Sequence, residues 1–221
     1  MRLTAFLALS AATLAGCSSG SSGVNLSSLP GAGVIRALRG DNAALAAPPV
    51  ETPGFTAQAI ADHPENFMIA DVPNLGLNQP ARLIQRNGDE ETWAAQGGAT
   101  FAFRDGVMSA TRGLIDDLLV ISTAGVTDAL AAGGGTVTRT LESLDDLDQL
   151  STLSLTCTIT RDGPEDVNLG LREVSLVKFT ERCASRPLVF ENAYWLDGPG
   201  AIIASRQFVS AEVGYARLNR L

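Results

Sequence analysis

The amino-acid sequence predicts a mainly β protein in which antiparallel hairpins form a sandwich or barrel-like sheet with a few short helices. After Pro80, segments of strand length alternate with glycine-containing pairs at intervals of 8 to 10 residues. Glycine accepts the positive φ angles of tight hairpin turns, so this spacing is typical of an antiparallel meander. Two further hairpins are predicted nearer the C-terminal end. Many short strands joined by glycine turns favour a sandwich or barrel.

Residues 1–16 are predicted to be a lipoprotein signal peptide. Arg2 carries the positive charge, and residues 3–14 form an apolar run that is too short to span a hydrocarbon core of about 30 Å. The run ends in Leu-Ala-Gly-Cys, the form of a lipobox, which predicts lipid on Cys17. An ordinary cleaved signal that happens to contain a cysteine is the less favoured alternative, because the whole tetrad is present.

The lipid would hold the chain at a membrane, since several acyl chains together bind far more strongly than one. Ser18 stands where an Asp would resemble the inner-membrane retention signal, so the outer membrane, facing the periplasm, is expected. Residues 17–28 are rich in Ser and Gly and are predicted to form a flexible tether. Residues 29–221 are then expected to form a single β-rich domain.

Composition excludes some classes of partner. The formal net charge of the whole chain is -8, and removal of Arg2 with the signal peptide makes it -9. An acidic chain without a basic cluster is not expected to bind nucleic acid or anionic lipid head groups. No cofactor motif is present in the sequence.

Two cysteines remain when Cys17 is lipidated. Cys157 and Cys183 are separated by 26 residues, and an even remainder in an oxidising compartment predicts one disulfide. Two buried free thiols are the second alternative. The two cysteines are too far apart, and too isolated from other ligand residues, to resemble a redox or zinc motif.

The first half of the chain contains one predicted helix and five predicted strands. The helix covers 34–39, a proline-rich loop covers 46–54, and a strand at 67–72 is stopped by Pro73. The meander strands are predicted at 81–86, 90–96, 99–104 and 107–111, around Asn87-Gly88, Gly97-Gly98 and Asp105-Gly106. The apolar segment 114–121 is compatible with either a helix or a strand.

The second half is predicted to contain two hairpins and a closing strand. A strand at 136–141 is followed by an acidic helical turn at 142–150. A long hairpin is predicted around Asp162-Gly163-Pro164, and a shorter one around Asp197-Gly198. The predicted strands are 151–161, 168–180, 188–196, 201–210 and, to close the sheet, 214–221.

Several stretches resemble the YjbF family of lipoproteins, also called the group 4 capsule polysaccharide lipoprotein or GfcB family. The motifs are the lipobox cysteine, Trp93, Gly106-Val107-Met108, Thr111-Arg112-Gly113-Leu114, Asp116-Asp117-Leu118, Tyr194-Trp195, Ser205-Arg206-Gln207-Phe208-Val209-Ser210 and Gly214-Tyr215. The resemblance implies a periplasm-facing, β-rich lipoprotein associated with exopolysaccharide or capsule secretion. It implies polysaccharide-export proteins as partners, and it carries no known catalytic reaction.

Arg112, Asp116 and Asp117 form the most site-like cluster in the sequence. A guanidinium and two carboxylates could recognise a saccharide. Alternatively, Arg112 could pair with one carboxylate and fix the turn after the fourth meander strand. The structural interpretation is preferred, and the recognition interpretation stays open.

Three aromatic residues could stack on sugar rings or serve as core anchors. Trp93, Tyr194 and Trp195 stand out in a chain that is only 5% aromatic, which favours the core. Because neighbours on a strand face opposite ways, at most one of Tyr194 and Trp195 is expected in the main core. The core role is preferred, and Trp93 and Trp195 remain candidate binding residues.

No catalytic or metal-binding constellation is predicted. Adjacent aspartates at 116 and 117 diverge on either a strand or a helix, so they cannot act as a glycosidase pair. His63 is the one histidine, in a polar loop, without a ligand pattern or a nucleophile elbow. The prediction is a non-enzymatic accessory or binding component of exopolysaccharide secretion. The alternatives are a periplasmic polysaccharide-modifying enzyme and a structural envelope lipoprotein that binds only protein partners.

Overall fold

The computed structural model describes residues 54–144 and 149–221. The predicted signal peptide, lipidation at Cys17, the tether and the helix at 34–39 therefore lie outside the described residues. So does almost all of the proline-rich loop. None of the described helices is long and apolar enough to cross a membrane.

The described residues form twelve β-strands and two short α-helices, with two single-turn 3-10 helices beside β1. The helices are α1 (Ala57–Asp62) and α2 (Val126–Ala131), and the 3-10 helices are Pro64–Asn66 and Pro73–Leu75. The strands are β1 (Phe67–Val72), β2 (Leu77–Asn87), β3 (Glu90–Ala95), β4 (Thr100–Arg104), β5 (Val107–Arg112), β6 (Val120–Ile121), β7 (Gly134–Leu144), β8 (Leu150–Asn168), β9 (Glu173–Ala184), β10 (Val189–Leu196), β11 (Ile202–Ser210) and β12 (Gly214–Arg220).

All twelve strands belong to one antiparallel sheet that curls into a nearly closed barrel, as the sequence predicts. The first strand pairs with the last, so that β1 lies between β2 and β12. The order from one edge to the other is β5-β4-β3-β2-β1-β12-β11-β10-β9-β8-β7-β6. The edge strands β5 and β6 approach each other, and we call this junction the seam.

The predicted meander is confirmed, and its turns have the expected backbone. Asp105 has a φ of 50° and Gly106 a φ of 80°, so both occupy the left-handed region that a tight hairpin requires. A Cβ on Gly106 would also lie 3.0 Å from the Cβ of Ile202. Gly106 is therefore needed for both the turn and the packing against β11.

Two secondary-structure predictions are wrong. The long hairpin does not turn at Asp162-Gly163-Pro164, because β8 runs through these residues and the chain reverses at 169–172. A register shift between Arg161 and Gly163 absorbs the turn-forming sequence as a bulge. The acidic helical turn is wrong at 142–144 and at Leu150, which lie in β7 and β8, while 145–148 lie outside the described residues. The undecided segment 114–121 consists of bends and irregular chain and contributes only β6.

The hairpin beyond the bulge folds over the outer face of the sheet. We call residues 164–177, which include the turn at 169–172, the arm. Val167, Leu169 and Leu176 of the arm are buried against Trp195 and neighbouring outward-facing residues. A Cβ on Gly170, at the arm's turn, would lie 3.4 Å from Cγ1 of Ile69 on β1. The arm thus reaches from β9 to β1 across the outside of the barrel.

The barrel interior holds the main apolar core. Inward-facing side chains of the meander, including Trp93 and Phe101, pack with Met68, Leu155 and Leu218 in one buried cluster. A second cluster beside it joins α2 to β9, β10 and β11. Burial of these side chains is the dominant favourable term for folding.

A charged groove at one end of the barrel

The Thr111–Leu118 motif forms the seam between the barrel edges. The backbone N–H of Thr111 donates to the carbonyl of Leu118, and the N–H of Leu118 donates to Oγ1 of Thr111, both at 2.9 Å. The carboxylate of Asp117 accepts from the Thr111 hydroxyl at 2.9 Å and from the backbone N–H groups of Gly113 and Leu114 at 2.9 and 3.2 Å. This single side chain therefore organises the whole turn.

Arg112 does not pair with a carboxylate, which corrects the predicted contact. Its guanidinium donates to the carbonyls of Leu118 at 3.2 Å and Leu119 at 3.3 Å, and to its neighbour Thr111. Within the described residues, Asp116 makes no hydrogen bond or ion pair, and Arg112 forms no salt bridge. The carbonyls at the chain reversal are the nearest acceptors, so they bind the guanidinium in place of the aspartates.

Gly113 is required by its conformation at the same turn. Its φ is 86°, and a Cβ at this position would lie 3.4 Å from Cα of Ala99. The loop that follows β5 therefore passes close to the turn between β3 and β4, which contains Ala99. The contacts of Thr111, Arg112, Gly113 and Asp117 all close the barrel, and they support a structural role for this motif.

Trp93 is a buried core residue that supports a charged group. Its ring is fully buried, and its Nε1–H donates to Glu91 at 3.1 Å. The Glu91 carboxylate also accepts from Arg86 at 2.8 Å and from Arg220 at 2.5 Å, and Cζ of Arg220 lies 5.2 Å from the centre of the Trp93 ring. Burial by itself would raise the pKa of Glu91, but the hydrogen bond and charge of Arg220, with Trp93 and Arg86, lower that pKa overall.

Tyr194 and Trp195 face opposite sides of β10, but both are buried. Tyr194 belongs to the inner cluster beside α2, and Trp195 belongs to the cluster beneath the arm. Neither lies in the largest core cluster. This agrees with the prediction that at most one of them lies in the main core, and the arm buries Trp195 on the outer face of β10.

A buried polar network crosses the barrel interior, and the sequence analysis did not find it. Nη1 of Arg139 donates to Glu181 at 3.0 Å, with both side chains removed from solvent. The same carboxylate accepts from the Tyr194 hydroxyl at 2.7 Å and from the Asn192 amide at 2.8 Å. Burial raises the pKa of Tyr194 well above its ordinary value, and the negative charge of Glu181 adds to this.

Cys157 and Cys183 lie opposite each other on β8 and β9 and form a disulfide. With Glu181 they make the one cluster of potential metal ligands among the described residues. Both sulfur atoms are bonded to each other, and Glu181 is held by three donors. This grouping is therefore structural in the oxidised protein.

A groove of about 860 Å³ opens at one end of the barrel. The β2–β3, β4–β5 and β10–β11 turns meet α2 around it. Its apolar floor is formed by Leu130, Val177, Phe179, Leu196 and Ile202. Its rim carries five carboxylates and two guanidinium groups, those of Asp89, Glu91, Asp105, Asp128, Asp197, Arg161 and Arg220.

None of the predicted candidate residues lines this groove. Trp93 comes closest, through its contacts with Glu91 and Arg220. The Asp-Gly turns at 105 and 197 were visible in the sequence as turns. Their convergence depends on the long-range strand order, so the sequence held no signal that they share a groove. His63 lies elsewhere, with a side chain that is 68% exposed.

The described residues form a β-barrel-like protein with a charged groove at one end. The model of the YjbF family, group 4 capsule polysaccharide lipoprotein, matches residues 40–221. The chain belongs to this family, which confirms the resemblance seen in its sequence motifs. No curated protein matches the chain.

A solved structure shows the same fold. The chain is similar to the hypothetical lipoprotein YmcC from Escherichia coli K12, with 24% identity and a TM-score of 0.63, over 84% of this chain and 92% of that one. A putative exported protein with a YmcC-like fold from Bacteroides fragilis also matches, with 11% identity and a TM-score of 0.28, over 70% of this chain and 93% of that one.

Proposed function

We propose that this protein is a non-enzymatic, lipid-anchored component of exopolysaccharide or capsule secretion. Lipid on Cys17 would hold it at the outer membrane, facing the periplasm. There it would bind polysaccharide-export proteins and the polysaccharide. Membership of the capsule polysaccharide lipoprotein family supports the secretion role.

The groove is the observation that carries the binding role. Its volume of about 860 Å³ lies within the range of about 300–1,000 Å³ that is usual for ligand sites. An apolar floor with a polar rim suits a sugar ring, whose faces are apolar and whose edges carry hydroxyl groups. The carboxylates of the rim can accept hydrogen bonds from those hydroxyls.

The groove also bears on the enzymatic alternative. A general acid needs a carboxyl group that is protonated near neutral pH. Glu91 is the rim carboxylate held most firmly, and its contacts with two arginines lower its pKa. Glu91 is therefore suited to fixing the rim and unsuited to donating a proton.

A groove variant tests the proposal. Asp128 is exposed on α2, lines the groove and makes no described side-chain contact, so Asp128→Lys should leave the fold intact. Secreted polysaccharide should fall while the amount of folded protein stays constant. Glu212→Lys makes the same charge change in an exposed turn at the opposite end of the barrel and should secrete normally.

Binding and product analysis separate the alternatives. Polysaccharide isolated from a secreting strain should bind the wild-type protein and bind Asp128→Lys more weakly. Shortened or modified polysaccharide after incubation would favour the polysaccharide-modifying enzyme. Normal secretion by Asp128→Lys together with absence of glycan binding would favour the structural lipoprotein that binds only proteins.

The anchor is tested separately. Cys17→Ser should abolish incorporation of labelled fatty acid and should release the protein from the membrane fraction. Separation of inner and outer membranes then locates the wild-type protein. Labelled fatty acid on the Cys17→Ser variant would disprove lipidation at this residue.

A further inference from the structure

Three buried polar atoms on the outer face of the sheet have no hydrogen-bond partner. They are Nε1 of Trp195, Nε of Arg217 and Oδ1 of Asn219. Trp195 is 6% exposed and Asn219 is 9% exposed. An unpartnered buried polar atom destabilises the fold, so three of them in one place indicate that something else supplies the missing bonds.

The three side chains lie in one patch. Trp195 pairs with Ala204 on β11, and Ala204 pairs with Asn219 on β12. Two strand spacings of about 4.8 Å separate Trp195 from Asn219. Arg217 lies two residues before Asn219 and therefore on the same face, with its Cζ 5.7 Å from the centre of the Trp195 ring.

The arm covers this patch, and we call the region between the arm and these three side chains the slot. Leu176 and Val167 of the arm pack in the cluster that contains Trp195. Lys178, at the base of the arm, lies with its Nζ 5.6 Å from the Trp195 ring and 3.1 Å from Glu165. The unpartnered atoms are thus enclosed between the arm and the sheet.

The three unpartnered atoms indicate which chemical groups of a ligand could form the missing hydrogen bonds. Trp195 Nε1–H and Arg217 Nε–H are donors, and the arginine is charged, so together they suit a carboxylate. Oδ1 of Asn219 accepts a hydrogen bond, as from a hydroxyl group. Arg217 lies in register between Arg206 and Asp71 and forms no ion pair with a described carboxylate.

We propose that the slot between the arm and the sheet binds a carboxylate with a neighbouring hydroxyl group. This is the chemistry of an acidic sugar residue and also of a free hydroxy acid. The inference goes beyond the proposed function and does not use the groove, so the two can fail independently.

The two tryptophan indole groups provide the test, because their Nε1–H groups differ. Trp93 Nε1–H is bonded to Glu91, whereas Trp195 Nε1–H has no described partner. NMR spectra of the full chain in detergent would be recorded while glucuronic acid, glucose or glycerate is added. Glucuronic acid should shift the Trp195 indole resonance and leave that of Trp93 in place, and glucose should shift neither.

Variants supply the matched comparison. Arg217→Met should weaken glucuronic acid binding by about tenfold, the loss of one charge-assisted bond. Arg206→Met removes the same charge from the neighbouring strand and should bind like the wild type. An unchanged Trp93 resonance reports that each variant is folded.

The outcomes decide both the chemistry and the source. Tighter binding of glucuronic acid than of glycerate would assign an acidic sugar, and the reverse would assign a free hydroxy acid. Equal shifts with glucose, or full binding by Arg217→Met, would overturn the carboxylate site. A Trp195 resonance that no probe moves and that shows contact only with bound water would mean that water alone fills the slot, and would overturn the proposal.

Discussion

Thr111 and Leu118 exchange two hydrogen bonds across the seam, one between backbone groups and one through the threonine hydroxyl. Asp117 holds the threonine hydroxyl in place at 2.9 Å. The two edges of the sheet are thereby joined by one backbone bond and by the side chains of Thr111 and Asp117. The stretches 111–114 and 116–118, which carry part of the family resemblance in the sequence, form this junction.

The seam leads to the first prediction, on Asp117. Asp117→Ala should reduce the free energy of unfolding by about 1–3 kcal/mol, because it leaves the donors of Thr111, Gly113 and Leu114 without their acceptor. Asp116→Ala is the matched control, since Asp116 has no described partner, and it should change stability by less than about 0.5 kcal/mol. Urea denaturation of both variants measures the difference. Equal effects would contradict the role given to Asp117.

Arg112 is the residue at which fold and recognition compete. Arg112→Ala should lower the free energy of unfolding by about 1–3 kcal/mol, because the carbonyls of Leu118 and Leu119 lose a charged donor. Polysaccharide secretion should then fall only as far as folded protein is lost. Melting temperature and secretion are to be measured on the same variant. A stable variant with impaired secretion would favour a recognition site at Arg112.

The buried network predicts strong coupling between Arg139 and Glu181. Glu181→Gln should cost about 3–5 kcal/mol, because it leaves the Arg139 guanidinium buried without its counter-charge. Combining it with Arg139→Met should cost less than the sum of the two single changes. A double-mutant cycle by chemical denaturation measures this coupling. Additive effects would mean that the two charges do not stabilise each other.

The disulfide predicts a large effect on stability and a simple mass spectrum. Replacing Cys157 and Cys183 by alanine should cost about 2–5 kcal/mol, chiefly because the unfolded chain is no longer constrained. Peptides from unreduced wild-type protein should contain one pair linked through these residues. Alkylation of both thiols in protein taken directly from the periplasm would contradict the bridge.

Glu91 predicts a stability that decreases in acid. Its folded-state pKa is lowered from 4.5, so its contribution is fully present above the unfolded-state pKa and is lost as the pH falls through the lowered value. Glu91→Gln should destabilise the protein at neutral pH and flatten the decline below about pH 4.5. Denaturation at a series of pH values tests this, with Glu212→Gln as a control for the loss of one carboxyl group. An unchanged acid profile in Glu91→Gln would rule out this contribution.

The contrast between Asp105-Gly106 and Asp162-Gly163-Pro164 shows how far turn sequences can be trusted. Both sequences favour a turn, and only the first makes one. At 105 the ladder between β4 and β5 ends at the pair Arg104 and Val107, and no ladder hydrogen bonds continue past the turn. At 162 the ladder between β8 and β9 continues on both sides, and its hydrogen bonds outweigh the local preference, so that the sequence becomes a bulge.

The sequence by itself determined the lengths of most strands, the meander, the C-terminal hairpin and the membership of a lipoprotein family. These follow from local properties, namely the alternation of side chains and the backbone angles that glycine permits. Only the tertiary structure decided that Arg112 binds carbonyls, that Trp195 lies beneath an arm, and that Arg139 meets Glu181 42 residues away. The groove and the slot likewise combine side chains from strands far apart in the chain. Which side chains meet there depends on the strand order and on the curvature that closes the barrel. Neither property is encoded within any short segment.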